Sequence, residues 1–380
     1  MKKIPVSDLR EGQTFKKPVF IEDDSIFIPE NTAVLKKDLD LLNTLGINEV
    51  FMQEDAPAGP DVKEAEEAQK TKAPSPQTAH TNYNVFSAIN KLIEQFHFIF
   101  SAISEKTPAN IRLLWHITDS LIEIIKNHRS EVLRFIICEE PKDGFGMLKN
   151  AMDTAIISAI MGTELAYSDI KMQEIVAAAL LHDVGMLRLP EAVVKKEGPI
   201  SGRELELMKS HPLYSFNIMK KELLYSDSVC QIALQHHEYW NGGGYPRHLS
   251  GKDIDERALI VAVADSFSAM MRKKSYRGAM TGYQVMKTLL SENELHFSPD
   301  ILKLFVKIMG VYPIGSGVLL NDNSIAQVIN VNVESPLRPV VQVIVDNSGA
   351  AVKDDRKIDL LTNKNMFIAC AVDVKVTEDK

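Results

Sequence analysis

Three apolar, helix-patterned stretches in the middle of this chain each run into ionisable side chains. Residues 174–181 end at His182-Asp183, residues 229–234 lead to His236-His237, and residues 259–264 are followed directly by Asp265. His211 lies between the first two. Imidazoles and carboxylates are costly in an apolar core unless something pairs them. A pair of divalent metal ions is the simplest partner, because it satisfies neutral imidazole nitrogens and carboxylate oxygens together. The chain is therefore expected to be mainly α, with helices converging on a polar centre.

The 380 residues are 45% hydrophobic and 25% charged, ordinary values for a globular protein of two or three domains. A net charge of −8 argues against binding to a nucleic acid polymer, although a local basic pocket is compatible with it. Cys138, Cys230 and Cys370 lie far apart and form neither a disulfide framework nor a CxxC metal site, which fits a reducing cytoplasm. The start, MKKIPVSDLREG, lacks the apolar core of a signal peptide. No apolar run reaches membrane-spanning length, so no membrane insertion and a cytoplasmic location are expected.

Composition shifts divide the chain into five parts. Residues 1–53 read as a small α/β unit, with strands at 4–6, 18–21, 25–28 and 47–52, a turn at 23–25, and a helix over 38–45 stopped by Gly46. Residues 54–80, rich in Pro, Ala, Glu and Lys, read as a flexible linker, with a short acidic helix over 62–70 compatible with the sequence. Residues 81–143 are helical and open to two readings: a hairpin packed on the next domain, or the stalk of a homodimer. Residues 144–312 form an α-helical domain, with helices expected at 145–164, 169–184, 201–223, 226–238, 254–271, 281–292 and 298–309. The segment 254–271 is apolar on nearly every side, as a central helix would be. Residues 313–380 turn to strand patterns at 318–321, 325–331, 340–345 and 366–374, with a hairpin-type turn at Asp346-Asn347-Ser348-Gly349, a small β appendage.

Within the helical domain, neighbouring helix positions point about 100° apart. One ion can use both His182 and Asp183 only near a helix end; alternatively Asp183 bridges two ions. Nitrogen and oxygen donors without thiolate suit iron, manganese or zinc. Trp240-Asn241-Gly242-Gly243-Gly244-Tyr245-Pro246 follows the His pair. Its glycines permit close approach to a ligand, and Tyr245 offers a ring and a hydroxyl. Arg272, Lys273, Lys274 and Arg277 form a basic run around Tyr276, suited to phosphate.

Together, His182-Asp183-Val184-Gly185, Lys209-Ser210-His211-Pro212, His236-His237-Glu238, Gly244-Tyr245-Pro246 and Ala264-Asp265 resemble the HD-GYP domain family in order and spacing, over residues 144–312. The resemblance implies an HD-superfamily helical domain with a centre of two or three divalent metal ions, often iron or manganese. It implies hydrolysis of cyclic di-GMP to pGpG or GMP by a hydroxide between the ions. By position, it places His182, Asp183 and Asp265 on one metal. Asp183 bridges to a second held by His211 and His236, with His237 close by. Asp183, Asp265 and His237 would carry the catalysis. Gly244, Tyr245 and Pro246 would meet the substrate, and Lys274 and Arg277 would grip its phosphates.

The chain departs from the family pattern at three places. The first metal-binding His, expected 32 residues before His182, is Asn150, a weaker, neutral ligand. The Glu of three-metal members is Gly146, which argues for two metals. The Lys after His-Asp-x-Gly is Met186, a lost positive charge for which Lys149 or Asp153 are candidate replacements. Three functions follow: a cyclic di-GMP phosphodiesterase with weakened activity, a degenerate domain that senses cyclic di-GMP and signals to a protein partner through the N-terminal unit, or a phosphohydrolase acting on another nucleotide.

Overall fold

The computed structural model describes residues 2–17, 19–21, 25–28, 33–34, 36, 39, 49–52, 84–139, 144–196, 198–272, 280–291, 296–352 and 356–372. Contacts divide the chain into two compact units, residues 1–81 and 82–380. Among the described residues no helix is long and apolar enough to cross a membrane.

The first unit holds an antiparallel sheet of β1 (Lys2–Pro5), β2 (Val19–Ile21), β3 (Ser25–Ile28) and β4 (Glu49–Met52), in the order β1-β4-β2-β3. Lys2 pairs with Met52 and Pro5 with Glu49, so the first and last strands of the unit close it. Val6, Leu9, Phe15, Val19, Ile28, Val34 and Val50 form its core. Apart from Leu39, the helix expected over 38–45 lies outside the described residues, as do Gly46, most of the turn at 23–25, the linker and its acidic helix.

The second unit begins with α1 (Val85–Ser104), α2 (Ile111–Asn127) and α3 (Arg129–Cys138). Asn84 and Asn110 cap the first two, each accepting from the amide three residues on at 3.1 Å. Their apolar faces pack on α4 (Gly146–Glu164), and α2 also on α5 (Asp169–Leu181). Helix α4 is the most deeply set element: its fifteen residues from Leu148 to Gly162 are all buried. α10 (Glu256–Met271) crosses it and is buried over most of its length, as its uniform apolarity implies.

Between α5 and α10 run the short α6 (Glu191–Val194) and α7 (Gly202–Met208), then α8 (His211–Lys221) and α9 (Asp227–Gln235). The helix expected over 201–223 is in fact two helices. Pro212 cannot donate a backbone hydrogen bond and is tolerated only in a first helical turn, so α8 restarts at His211. The helices expected over 169–184 and 226–238 end earlier, at Leu181 and Gln235, leaving His182 and His236 at the helix ends. Arg257 ties the far ends of three helices together through Asp255, Glu174 and Ser228.

After α11 (Gly282–Ser291) and α12 (Pro299–Met309), Gly310 stops the helix with φ +73°. The chain then forms an antiparallel sheet of β5 (Gly317–Leu320), β6 (Ile325–Asn330), β7 (Val340–Val345), β8 (Lys357–Asp359) and β9 (Ile368–Val372), ordered β8-β7-β6-β5-β9. Alternate residues of β5, β6 and β7 are buried and meet Leu360 in one small core. Strand β8 adds an edge that the hydropathy pattern does not reveal.

Candidate metal centre and active site

His182 follows the last turn of α5, and Asp183 turns the chain into a 3-10 segment, Val184–Arg188. Gly185 then makes the closest approach in this region: a Cβ there would stand 2.1 Å from the His211 carbonyl oxygen and 2.5 Å from the Ser215 nitrogen. Only glycine fits. Its amide donates to Ser215 Oγ at 2.8 Å, and Ser215 Oγ donates to the His182 carbonyl at 2.6 Å. This clasp sets the start of α8, and with it His211, against the His182-Asp183 turn.

His182, His211 and His236 share one local geometry. Each Nδ1 lies 2.7 Å from the carbonyl oxygen three residues earlier, that of Ala179, Met208 and Ala233 respectively. These bonds put the ring proton on Nδ1 and turn the Nε2 lone pair inward. His211 Nε2 and His236 Nε2 then face each other at 3.4 Å. His182 Nε2 has no hydrogen-bond partner, although Asp183 Oδ2 and Asp265 Oδ1 both lie 3.3 Å away. Buried lone pairs aimed at one another and at carboxylates are unfavourable by themselves, and a cation among them removes the conflict.

Two donor groups result. Asp183, His211, His236 and His237 form one, and His182, His236 and Asp265 the other; within each group the donor atoms lie within 4.8 Å of one another. An imidazole Nε2 has one lone pair and serves one ion. Asp183 has two oxygens: Oδ1 is 3.1 Å from His211 Nε2, and Oδ2 is 3.3 Å from His182 Nε2. Asp183 thus has an oxygen for each group. The donor set fits two divalent ions held by nitrogen and oxygen.

The charge balance follows from burial. Burial pushes His237 down to about 4, with His211 adding to the effect. Burial, His237 and His182 hold His236 well below its ordinary value. Both rings are neutral near pH 7. At His182 burial opposes the charge, but Asp183 and Asp265 outweigh it and hold the imidazole well above its ordinary value. Burial would raise Asp183, yet His182 and His211 bring it well below the carboxylate range. Asp265 is lowered as well, with His182 overcoming burial. The two carboxylates thus favour positive charge at His182, where a cation would serve.

The structure brings Asn150 to this centre on α4. Its Nδ2 donates to Asp265 Oδ1 at 2.7 Å, and its Oδ1 is buried without a partner. Lys149 and Asp153, on the same helix, form a closed ion pair at 2.6 and 2.7 Å. The Gly-Tyr-Pro loop folds back over the His pair. Gly244 passes so close that a Cβ would stand 2.4 Å from the His237 carbonyl oxygen. The Tyr245 amide donates to that oxygen at 3.0 Å, its ring stacks on His237 with centroids 4.8 Å apart, and the Tyr245–Pro246 peptide is cis. Glu238 is not a metal donor: its carboxylate accepts from the amides of Arg247 and Leu249 and holds the loop.

A cleft of about 1350 Å³ opens over the centre. Asp183, His211, His236, His237, Tyr245, Asp265 and Asn150 line one end; Tyr283, His296, Gly315, Ser316 and Gly317 line another part, so the β appendage contributes to its wall. Met186, Lys149, Lys209 and Arg272 also line it. Lys274 and Arg277, expected to grip phosphate, lie outside the described residues. The Glu238 clasp and the inward turn of Arg272 were not expected from sequence; both depend on where distant segments meet.

Comparison with known proteins agrees with this architecture. Residues 131–301 match the HD domain family, and residues 317–380 match the KOW domain associated with HD domain. The chain is 29% identical over 220 residues to the cyclic di-GMP phosphodiesterase PdeB of Borreliella burgdorferi, covering 58% of each chain. It is 34% identical over 156 residues to a cyclic di-GMP phosphodiesterase of Thermotoga maritima, covering 40% of this chain and 42% of that one. The chain thus spans about half the length of these curated relatives. Among solved structures it is similar to Bd1817, a HDG"Y"P protein from Bdellovibrio bacteriovorus, with 16% identity and a TM-score of 0.49 over 81% of this chain and 98% of that one. Residues 131–301 are thus an HD domain, and the motifs within it stand in the order and spacing of the HD-GYP pattern.

Proposed function

We propose that the protein hydrolyses cyclic di-GMP to linear pGpG at this centre, using two divalent ions, iron or manganese. The observation that carries the reading is the pair of overlapping donor groups with Asp183 facing both. The names of the relatives support the choice of substrate. In the reaction a water oxygen bonds to phosphorus, the bond from phosphorus to the 3′ oxygen breaks, and that oxygen leaves as a hydroxyl.

When bound, paired divalent cations acidify water and neutralise phosphodiester oxygens. The chain's own side chains do the rest. His182, His211 and His236, locked by their Nδ1 bonds, present lone pairs without reorganisation. His237 is neutral at pH 7, so it serves as a lone-pair donor and not as an acid. Tyr245, stacked on His237 at the cleft wall, offers its ring edge and hydroxyl to the ligand. The Asn150 N–H holds one oxygen of Asp265 and so orients that carboxylate.

A second reading, a binding module that senses the same nucleotide and signals through the N-terminal unit, has one observation in its favour. Asn150 turns its nitrogen, not its oxygen, toward Asp265. One experiment separates the two. The purified full chain is assayed for bound metal, then incubated with manganese or ferrous iron and cyclic di-GMP, with other cyclic dinucleotides in parallel. Two ions per chain and release of pGpG support the enzyme. Tight binding without turnover moves the protein to the sensor class, and neither binding nor turnover removes cyclic di-GMP from consideration.

A further inference from the structure

Three lysine or arginine side chains line the cleft among the described residues: Lys149, Lys209 and Arg272. Two already pair with a carboxylate. Lys149 is 2% exposed, its Nζ is held by both oxygens of Asp153, and it sits 4.4 Å from the centre of the Phe135 ring. Two of its three N–H donors are held by one carboxylate, which neutralises its charge, and the ammonium is closed off against the Phe135 ring. Lys209 pairs with Glu206 at 2.9 Å, and the side chains of that pair are 38% and 72% exposed.

Arg272 is placed differently. Helix α10 stops at Met271, and Arg272 leaves it in extended conformation, φ −94° and ψ 149°. Its guanidinium reaches the first residue of α4, where Nη1 donates to the Gly146 carbonyl at 2.8 Å. Asp153, Asp265 and Asp183 act on it electrostatically, in that order, yet it forms no ion pair with them. A guanidinium has five N–H donors in a rigid plane. One is spent on Gly146, which fixes the plane, and the others are uncommitted among the described residues. Met186, on the same cleft, adds no charge.

An anchored guanidinium with spare donors, partly buried in the wall of a cleft that holds the donor groups, matches the oxygens of a phosphate group in charge and shape. We propose that Arg272 is a phosphate-binding residue of this cleft, gripping a phosphodiester oxygen of the bound nucleotide. The assignment rests on reading the cleft as a phosphodiester site, but it concerns phosphate recognition and can be tested apart from the identity of the nucleotide.

The test compares wild type, Arg272→Gln and Arg272→Lys as full, metal-loaded chains. Affinities for cyclic di-GMP and for orthophosphate are measured by calorimetry, with bound metal and thermal midpoint as controls. Arg272→Gln is expected to weaken both affinities about tenfold or more, because charge-assisted hydrogen bonds are lost. Arg272→Lys should recover part of the loss, and metal content should stay at the wild-type level. Unchanged affinities in Arg272→Gln overturn the assignment. So does a loss of metal in step with affinity that Arg272→Lys does not reverse, since Arg272 would then be a counter-ion for the carboxylates. A wild type that binds orthophosphate but not cyclic di-GMP, with Arg272→Gln weakening that binding, keeps Arg272 and discards the substrate. A wild type that binds neither ends both. If the variants do not fold, dicarbonyl modification of Arg272 in the wild type, read by mass spectrometry, decides: orthophosphate should slow it, and equal rates with and without orthophosphate refute the proposal.

Discussion

Asn150 Nδ2 donates to Asp265 Oδ1 at 2.7 Å, from a position on α4 that is 115 residues away in sequence. The same amide leaves its oxygen buried without a partner. Asn150 therefore steadies a donor carboxylate while carrying an unused acceptor of its own. Partners that orient metal ligands commonly affect metal affinity 10- to 100-fold, roughly. Asn150→Ala is expected to lower affinity for one of two ions by about tenfold, while Asn150→His, which brings a stronger donor to the same place, should raise metal content or activity. Competition with a chelator measures both, and identical curves for all three proteins would remove Asn150 from the centre.

Asp183 and Asp265 differ in reach. Asp183 has an oxygen near each donor group, whereas Asp265 belongs to one. Asp265→Asn should reduce bound metal by about one ion per chain, and Asp183→Asn should reduce it by more, toward none. Elemental analysis of freshly purified variants reads the difference. Equal losses would contradict a bridging role for Asp183, and undiminished metal in Asp265→Asn would take Asp265 out of the ligand set.

Acid should weaken the metal-free protein over a defined window. The folded chain holds His237 down at about 4 and His236 well below its ordinary value, while the unfolded chain protonates both near 6.5. Below pH 6.5 the unfolded state therefore binds protons that the folded state refuses, and stability falls as pH drops toward 4. His237 alone accounts for about 3 kcal/mol over that range. His182 has the opposite sign: its raised value adds stability that is full below 6.5 and lost as pH rises through the folded value, so it does not offset the loss. The lowered Asp183 and Asp265 add stability above the usual carboxylate range and lose it only at lower pH. The thermal midpoint of chelator-treated protein should fall between pH 7 and pH 5. A flat or rising midpoint would mean that the His pair is not buried and neutral as described.

Much of this architecture is legible in the chain because helix burial leaves a 3.6-residue trace. Each of the seven helical stretches expected in the domain contains a helix, and His182, Asp183, His236, His237 and Asp265 stand out as polar groups beside apolar runs, whereas His211 is marked only by the family resemblance. The illegible parts depend on tertiary approach. The break before His211 is hidden because residues 201–223 keep a helical pattern across Ser210, and Pro212 marks a start as readily as an end. Strand β8 is three residues long, too short for an alternation to register. The Lys149–Asp153 pair is an i,i+4 contact within α4 that spacing does record, whereas the enclosure of Lys149 against Phe135 and the turn of Arg272 back to Gly146 follow from how α4, α10 and α3 meet. Spacing carries no record of that.

The two close-packed glycines should separate metal binding from substrate binding. At Gly185 a Cβ would meet the His211 carbonyl and the Ser215 nitrogen, both backbone atoms that cannot yield without moving the start of α8. Gly185→Ala should therefore pull His211 from the His182-Asp183 turn, lowering metal content and costing about 2 kcal/mol or more in stability. At Gly244 a Cβ would meet the Tyr239 nitrogen at 2.3 Å and the His237 carbonyl, so Gly244→Ala must displace the loop that sets Tyr245 on His237. The rings of His211 and His236 take their orientation from the Met208 and Ala233 carbonyls, not from that loop. Gly244→Ala is thus expected to keep both ions while raising the Michaelis constant for cyclic di-GMP about tenfold. Metal analysis beside steady-state kinetics tests the pair, and a loss of metal in Gly244→Ala equal to that in Gly185→Ala would show that the loop helps to build the centre instead of covering it.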